Sequence, residues 1–409
     1  MMSDPAVLDI FLYEKAIGVI TNLPGDRNVL SFNQEYIDDP QRPILSLSFR
    51  DTFGDLITDI KSTRTRLPPF FANLLPEGHM RDYLASQANV NQQREFYLLA
   101  ALGKDLPGAL KVLPASSSRW GTEKNEEINE IVRRAKEDSV LRFSLAGVQL
   151  KFSAVWEREG GLTIPVDGVG GAWIVKLPSS VYTGVPENEY VMMELARHIG
   201  INVPETALVP IDQIHGLPKN VGNIANHAFI TKRFDRSSDG KGIHIEDFAQ
   251  IFGVYPEKKY QTASYQNIAQ VISAEVGEEG IIEFIRRFIF NALIGNGDMH
   301  LKNWSLIYPD KKNAALAPAY DFVSTIPYIP ADQLALSFAD SKAFSSLSED
   351  QLRRFAAKSH LPEKIVLETA RETVVAFAKL WRSINDFPLD KKIIEVINAH
   401  LKTIPLFHP

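Results

Sequence analysis

An α+β chain with a strand-rich first half and a helical second half, rather than one parallel sheet, is the fold class the sequence predicts. Three observations carry it. Short apolar runs separated by turn residues dominate up to about residue 235. Beyond about residue 240 the apolar positions recur at helical spacing, as in Ile281, Ile282, Ile285, Phe288 and Ile289. Of 409 residues, 45% are hydrophobic and 23% charged, which suffices for a large core. At roughly 150 residues per domain, this length predicts two or three domains.

Residues 1–115 read as a β-rich module with attached helices. VLDIFLY, GVITNL and ILSLSF are strand-like runs, punctuated by turns such as Pro24-Gly25-Asp26. Helical spacing follows in Met80, Tyr83 and Leu84, then from Phe96 to Leu102, ending at Gly103. Residues 116–140 change character: three serines, then GTEKNEEINEIVRRAKED, the composition of a charged linker or surface helix. Strand patterns return over 141–240 in RFSLAGVQLKFSAVW, AWIVKLP and HAFITKRFDR, with one helix from about Glu187 to His198. Residues 241–409 are expected to form the helical lobe.

The chain has no cysteine, which removes disulfides, thiolate metal sites and cysteine nucleophiles together. This fits a reducing, cytoplasmic setting. The start, MMSDPAVLDIFLYEK, lacks the basic and unbroken apolar regions of a signal peptide. The most apolar later stretch, Ile281 to Gly295, is interrupted by Glu283, Arg286 and Arg287, so no membrane span is expected. With 44 Lys+Arg against 50 Asp+Glu, the net charge of −6 argues against DNA binding by the chain's own charge.

The chemistry concentrates in Gly295-Asn296-Gly297-Asp298-Met299-His300-Leu301-Lys302-Asn303, directly after the apolar helix. A short hairpin then leads to Pro318-Ala319-Tyr320-Asp321-Phe322. Asp298 and Asn303 are spaced D-x-x-x-x-N, the spacing of protein-kinase catalytic loops. Phosphoryl transfer needs one carboxylate to orient the attacking hydroxyl, and an amide oxygen and a second carboxylate to hold Mg²⁺ over the phosphates of ATP. Asp298, Asn303 and Asp321 supply that set. Lys176 ends the apolar strand Trp173-Ile174-Val175 and needs a carboxylate partner if buried. Glu189 and Glu194 on the next helix are candidates, with Glu189 favoured. Upstream, Ser144-Leu145-Ala146-Gly147-Val148-Gln149-Leu150-Lys151 has the small residues a phosphate-covering loop requires, and Lys151 adds charge. His300 has no second histidine nearby for zinc, so it is either structural or in contact with phosphate.

These residues resemble the HipA-like serine/threonine kinases of bacterial type II toxin–antitoxin systems. The resemblance is collinear over almost the whole chain: FFANLLPEG, LLAALGKDLPGALKVLP, SLAGVQLK, WIVKLP, NEYVMMELARHIGINVPE, ITKRFDR, IEDFAQIFGVYPEKKY, LIGNGDMHLKNWSLIY and PAYDFVS occur in that order. It implies a protein-kinase-like two-lobed fold with a β-rich N-terminal module and an all-helical C-terminal lobe. It further implies Asp298 as catalytic base, Asn303 and Asp321 as Mg²⁺ ligands, and Lys176 as the phosphate-binding lysine. Lys232-Arg233-Phe234 corresponds to the hinge whose backbone meets adenine, and Ser144 to a serine whose autophosphorylation expels the nucleotide loop. Lys232 and Leu150 stand where acidic residues are common in the family. The family's role implies a translation-related protein substrate such as an aminoacyl-tRNA synthetase, growth arrest or persistence, and restraint by a HipB-like helix-turn-helix antitoxin that alone contacts DNA. Two other readings compete: a small-molecule or lipid-headgroup kinase, and a catalytically silent co-repressor of the antitoxin.

Overall fold

A computed structural model describes residues 6–87, 90–115, 130, 151–157, 161–164, 171–179, 181–217 and 227–408. The expected linker, apart from Glu130, lies outside the described residues, as do Ser144, Ala146, Gly147, Val148 and Gln149.

Strands β1 (Ala6–Leu12), β2 (Lys15–Leu23) and β3 (Arg27–Phe32) form an antiparallel meander. The β2–β3 turn uses Gly25 and Asp26 at φ +81° and +55°, the left-handed conformations that Gly and Asp best tolerate. Helix α1 (Gln34–Asp38), β4 (Thr63–Arg64), α2 (Pro69–Ala72), α3 (Gly78–Gln87), α4 (Glu95–Leu102) and β5 (Leu110–Pro114) complete the module, with strand order β4-β3-β2-β1-β5. The run ILSLSF does not form the expected strand. It makes a 3-10 turn at Leu47–Phe49, where Ser48 N–H donates to Ser46 Oγ at 3.0 Å and Leu47 N–H to Glu246 Oε1 at 3.0 Å. These local and long-range acceptors replace a sheet ladder. Helix α4 is buried on every side, which places it inside the core rather than on a surface.

The second sheet has the order β10-β7-β6-β8-β11-β9. Its strands are β6 (Lys151–Glu157), β7 (Gly161–Thr163), β8 (Trp173–Lys176), β9 (Thr206–Pro210), β10 (Ile214–His215) and β11 (His227–Lys232), with helix α5 (Val185–His198) between β8 and β9. One hydrophobic cluster joins both sheets, running from Leu8, Phe71 and Leu99 to Phe152, Val175 and Ile230. The N-terminal module is thereby packed onto the second sheet through apolar contact.

The remaining elements are β12 (His244–Asp247), α6 (Phe248–Ile251), α7 (Tyr265–Glu275), α8 (Glu278–Leu293), β13 (Ser305–Tyr308), β14 (Ala315–Leu316), α9 (Glu349–Ser359), α10 (Glu363–Trp381) and α11 (Lys391–Leu401). The lobe is therefore not all-helical, because β12-β13-β14 form a small antiparallel sheet. All four residues of β13 are buried, so its backbone needs strand partners, and β12 provides one despite its polar sequence HIED. Helix α8 anchors the lobe, with Phe288 stacked on Phe338 (4.1 Å between ring centroids) and Phe338 on Phe355 (4.3 Å). After α8 the chain turns at Gly295 (φ +67°), where a Cβ would lie 2.4 Å from Ile326 Cδ1. Only glycine fits both the angle and the space, and the turn aims the following polar loop away from the helix. Among the described residues no helix is long and apolar enough to cross a membrane.

Candidate active site

The 295–303 loop, the end of β8, helix α5 and the segment after β14 converge on one cavity of about 330 Å³. Lys176 is 4% exposed at the end of β8, opposite Lys151 on β6 and Phe229 on β11. Its ammonium donates to both Glu189 Oε1 and Asp321 Oδ1. Burial disfavours the charge, but Asp321 and Glu189 outweigh it and hold the Lys176 pKa above its ordinary value. Glu189 is thus the partner, while Glu194 binds Arg197 at 3.2 Å and accepts from Thr206 Oγ1 at 2.8 Å. Asn188 fixes the phase of α5: its Nδ2 donates to Ser324 O at 2.9 Å and its Oδ1 accepts from Ser324 N at 3.1 Å.

Asp321 adopts φ +58°, a left-handed conformation that re-aims its carboxylate toward Lys176. Lys151 Nζ lies 3.5 Å from its Oδ2. Burial raises its pKa, yet Lys151 and Lys176 prevail and keep it well below the carboxylate range. Next to it, the Tyr320 hydroxyl lies 2.5 Å from Ser305 Oγ and donates to Lys302 O at 2.9 Å, tying the segment to the loop.

Within the loop, Asn303 Nδ2 donates to Asp298 O at 2.8 Å, and its Oδ1 has no hydrogen bond among the described residues. Asn296 Oδ1 receives the Asp298 N–H at 3.0 Å, and Thr325 Oγ1 receives the Gly297 N–H at 2.8 Å. Asp298 is half-exposed, accepts from the Tyr260 hydroxyl, and has its pKa raised chiefly by desolvation. His300 is buried with Nε2 4.0 Å from Asp298 Oδ1; burial, Lys259 and Lys302 push its pKa to about 3, so the ring is neutral at pH 7.

At the expected hinge, Lys232 N–H donates to Glu205 O and Arg233 N–H to Ala172 O, each at 2.8 Å. The Lys232 side chain points to Glu205 near solvent, and Arg233 makes a two-pronged contact with Asp235 at 2.9 and 2.8 Å. The Phe234 ring packs against Tyr320, 5.7 Å between centroids, on the cavity wall.

Sequence reasoning missed a further set. Glu77, from the N-terminal module, accepts from Lys302 Nζ at 2.6 Å and Lys259 Nζ at 2.9 Å on the same cavity wall. Desolvation opposes ionisation of Glu77, but the two lysines bring its pKa down to about 2. FFANLLPEG contains Glu77, VYPEKKY contains Lys259 and LIGNGDMHLKNWSLIY contains Lys302, but no spacing rule links segments so far apart.

Comparison with known proteins follows the same outline. A family model described as the HipA-like C-terminal domain matches residues 143–381, and one described as the HipA N-terminal domain matches residues 8–113. The chain belongs to the HipA-like family. Among its HipA-like relatives, the inferred kinase Y4dM of Sinorhizobium fredii is 50% identical over 99% of both chains. The serine/threonine-protein kinase toxin HipA of Shewanella oneidensis is 26% identical, covering 94% of this chain and 92% of its own. A chain from the solved complex of Shewanella oneidensis HipA, HipB and operator DNA superposes with a TM-score of 0.70. It covers 98% of this chain and 96% of that one at 23% identity, a likeness of fold. The fold shared with that chain is an α+β one.

Proposed function

We propose that the chain is an ATP- and Mg²⁺-dependent protein serine/threonine kinase acting as the toxin of a HipA/HipB-type pair. The observation that carries this reading is Lys176 bridging Glu189 and Asp321 in the cavity that Asp298 and Asn303 also line. Lys176 and Lys151 are charges suited to the phosphates, and Glu189 keeps Lys176 in place when a nucleotide takes Asp321's attention. Asp321 is anionic and Asn303 offers a carbonyl oxygen that is unbonded among the described residues, a hard-oxygen pair that fits Mg²⁺. Bound there, Mg²⁺ would neutralise charge developing on the phosphates. Asp298, exposed to the cavity, is suited to orient an acceptor hydroxyl and take its proton. Phe234 and Tyr320 offer an aromatic wall for the base, and the Phe234 N–H is the hinge donor left without a bond among the described residues.

In this reading residues 1–115 are the β-rich module, 116–140 a linker, 141–240 the nucleotide lobe and 241–409 the catalytic lobe. Ala146 to Gln149 are assigned to nucleotide binding, and phosphorylation of Ser144 switches the enzyme off. A HipB-like antitoxin is the partner, with DNA reached through it; a relative crystallised with HipB and operator DNA supports this. The substrate is a translation-related protein such as an aminoacyl-tRNA synthetase, and the setting is cytoplasmic. Incubating the chain with γ-labelled Mg²⁺-ATP and cell lysate tests the proposal. Label in a protein other than the chain is the expected result; label confined to small molecules or lipid would sink the protein-kinase reading, and no transfer would favour a silent co-repressor.

A further inference from the structure

Tyr260 lies 38 residues before Asp298, yet its hydroxyl donates to Asp298 Oδ1. The Asp298 side chain is 48% exposed, and among the described residues no other side chain hydrogen-bonds to its carboxylate. His300 Nε2, at 4.0 Å, stands beyond hydrogen-bond reach. The tyrosine is held in turn. Its ring sits edge-on to His300 with 4.9 Å between centroids, and its carbonyl accepts from Lys342 Nζ at 3.2 Å. The neighbouring Lys259 O accepts the Leu301 N–H at 3.4 Å, tying the segment to the loop.

From this arrangement we infer that Tyr260 is a positioning residue for phosphoryl transfer: it pins Oδ1 of Asp298 and leaves the second carboxylate oxygen to receive the acceptor hydroxyl. The inference rests on the kinase reading above and adds to it a residue from outside the Asp298–Asn303 loop. A half-exposed aspartate with no such contact turns freely about its side-chain torsions and is solvated on both oxygens. A group that works by orientation loses most from that freedom, since a displacement of about 1 Å costs about 100-fold in rate. No bond is made or broken at Tyr260, and its proton stays on the phenol; burial and the nearby Asp298 hold that pKa well above its ordinary value.

The test uses the full chain with Mg²⁺-ATP and lysate, reading protein-bound γ-label in a single turnover and nucleotide affinity by calorimetry. Tyr260→Phe keeps the ring against His300 and removes only the hydroxyl. Its transfer rate should fall about 10- to 100-fold while Mg²⁺-ATP affinity stays within about twofold. An unchanged rate, or affinity that falls in step with the rate, overturns the inference. Phosphate mapped to residue 260 in the wild-type chain also overturns it, because Tyr260 would then be an acceptor. A wild-type chain that transfers nothing contradicts the kinase reading itself, which is a different failure from an unaffected Phe variant.

Discussion

Lys302 Nζ lies 2.6 Å from Glu77 Oε1, joining the 295–303 loop to a residue 225 positions earlier in the chain. Lys259 holds the other oxygen of the same carboxylate at 2.9 Å. The N-terminal module therefore contributes a charge to the candidate active-site wall and is more than an appendage.

Removing that charge leaves two largely buried lysines without it. Glu77→Ala should cost about 3 kcal/mol of stability in urea unfolding at pH 7, since breaking a buried pair strands the remaining charge. Glu77→Gln should cost less. The contribution is present above the unfolded carboxylate's pKa of about 4.5 and is lost as pH falls toward about 2, because the folded pKa is depressed. A stability difference between wild type and Glu77→Ala that is constant from pH 6 to pH 3 would refute the ion pair's role.

Asp321→Asn keeps a residue type that accepts φ +58° but removes the charge that faces Lys176 and Lys151. Mg²⁺-ATP affinity should drop at least about tenfold by calorimetry, a loss of about 1.4 kcal/mol or more. Lys176→Met should do the same, and chelating Mg²⁺ should weaken nucleotide binding in wild type far more than in Asp321→Asn.

Glu246 is fully buried under Ser46, Leu47 and Tyr308, and desolvation raises its pKa to about 7 despite their hydrogen bonds. A carboxyl with a raised folded pKa contributes most below its unfolded pKa and loses that contribution as pH rises toward 7. The stability of Glu246→Gln relative to wild type should thus rise with pH between about 5 and 7, by up to about 1.4 kcal/mol per pH unit. Buried His244, its pKa lowered to about 4, slopes the opposite way in both proteins and cancels in the difference. Unfolding at pH 5 and pH 7 measures it; a flat difference would place the ionised form at both pH values.

What the sequence could and could not reveal follows from distance along the chain. Asp298 and Asn303 were legible because their spacing is local, and Lys176 because an apolar strand ending in lysine demands a partner. Asp321 was legible as the end of a hairpin. Choosing Glu189 over Glu194 was not, since they differ by about 140° around a helix and only tertiary packing, here Asn188 on Ser324, sets its phase. The contacts of Glu77 with Lys302 and of Tyr260 with Asp298 cross between segments with no shared period. Of the third sheet the hairpin was legible but β12 was hidden, because HIED reads as polar until Glu246 is seen to be satisfied by Ser46 and Tyr308.

Ser144 carries the proposed switch. Incubation of the purified chain with Mg²⁺-ATP should add one phosphate by intact mass, mapping to Ser144 and absent from Ser144→Ala. Phosphate elsewhere, with Ser144 unmodified, would reject the switch.

In the proposed reaction Asp298 orients and deprotonates the acceptor hydroxyl that takes the phosphoryl group from a nucleotide held by Lys176, Asn303 and Asp321, and Asp298→Asn is the decisive variant. Calorimetry and γ-label transfer should be measured together on the wild-type chain and the variant. The account predicts Mg²⁺-ATP binding of similar affinity in both, with protein-bound label reduced at least about 100-fold in Asp298→Asn. Equal labelling by the variant would contradict it.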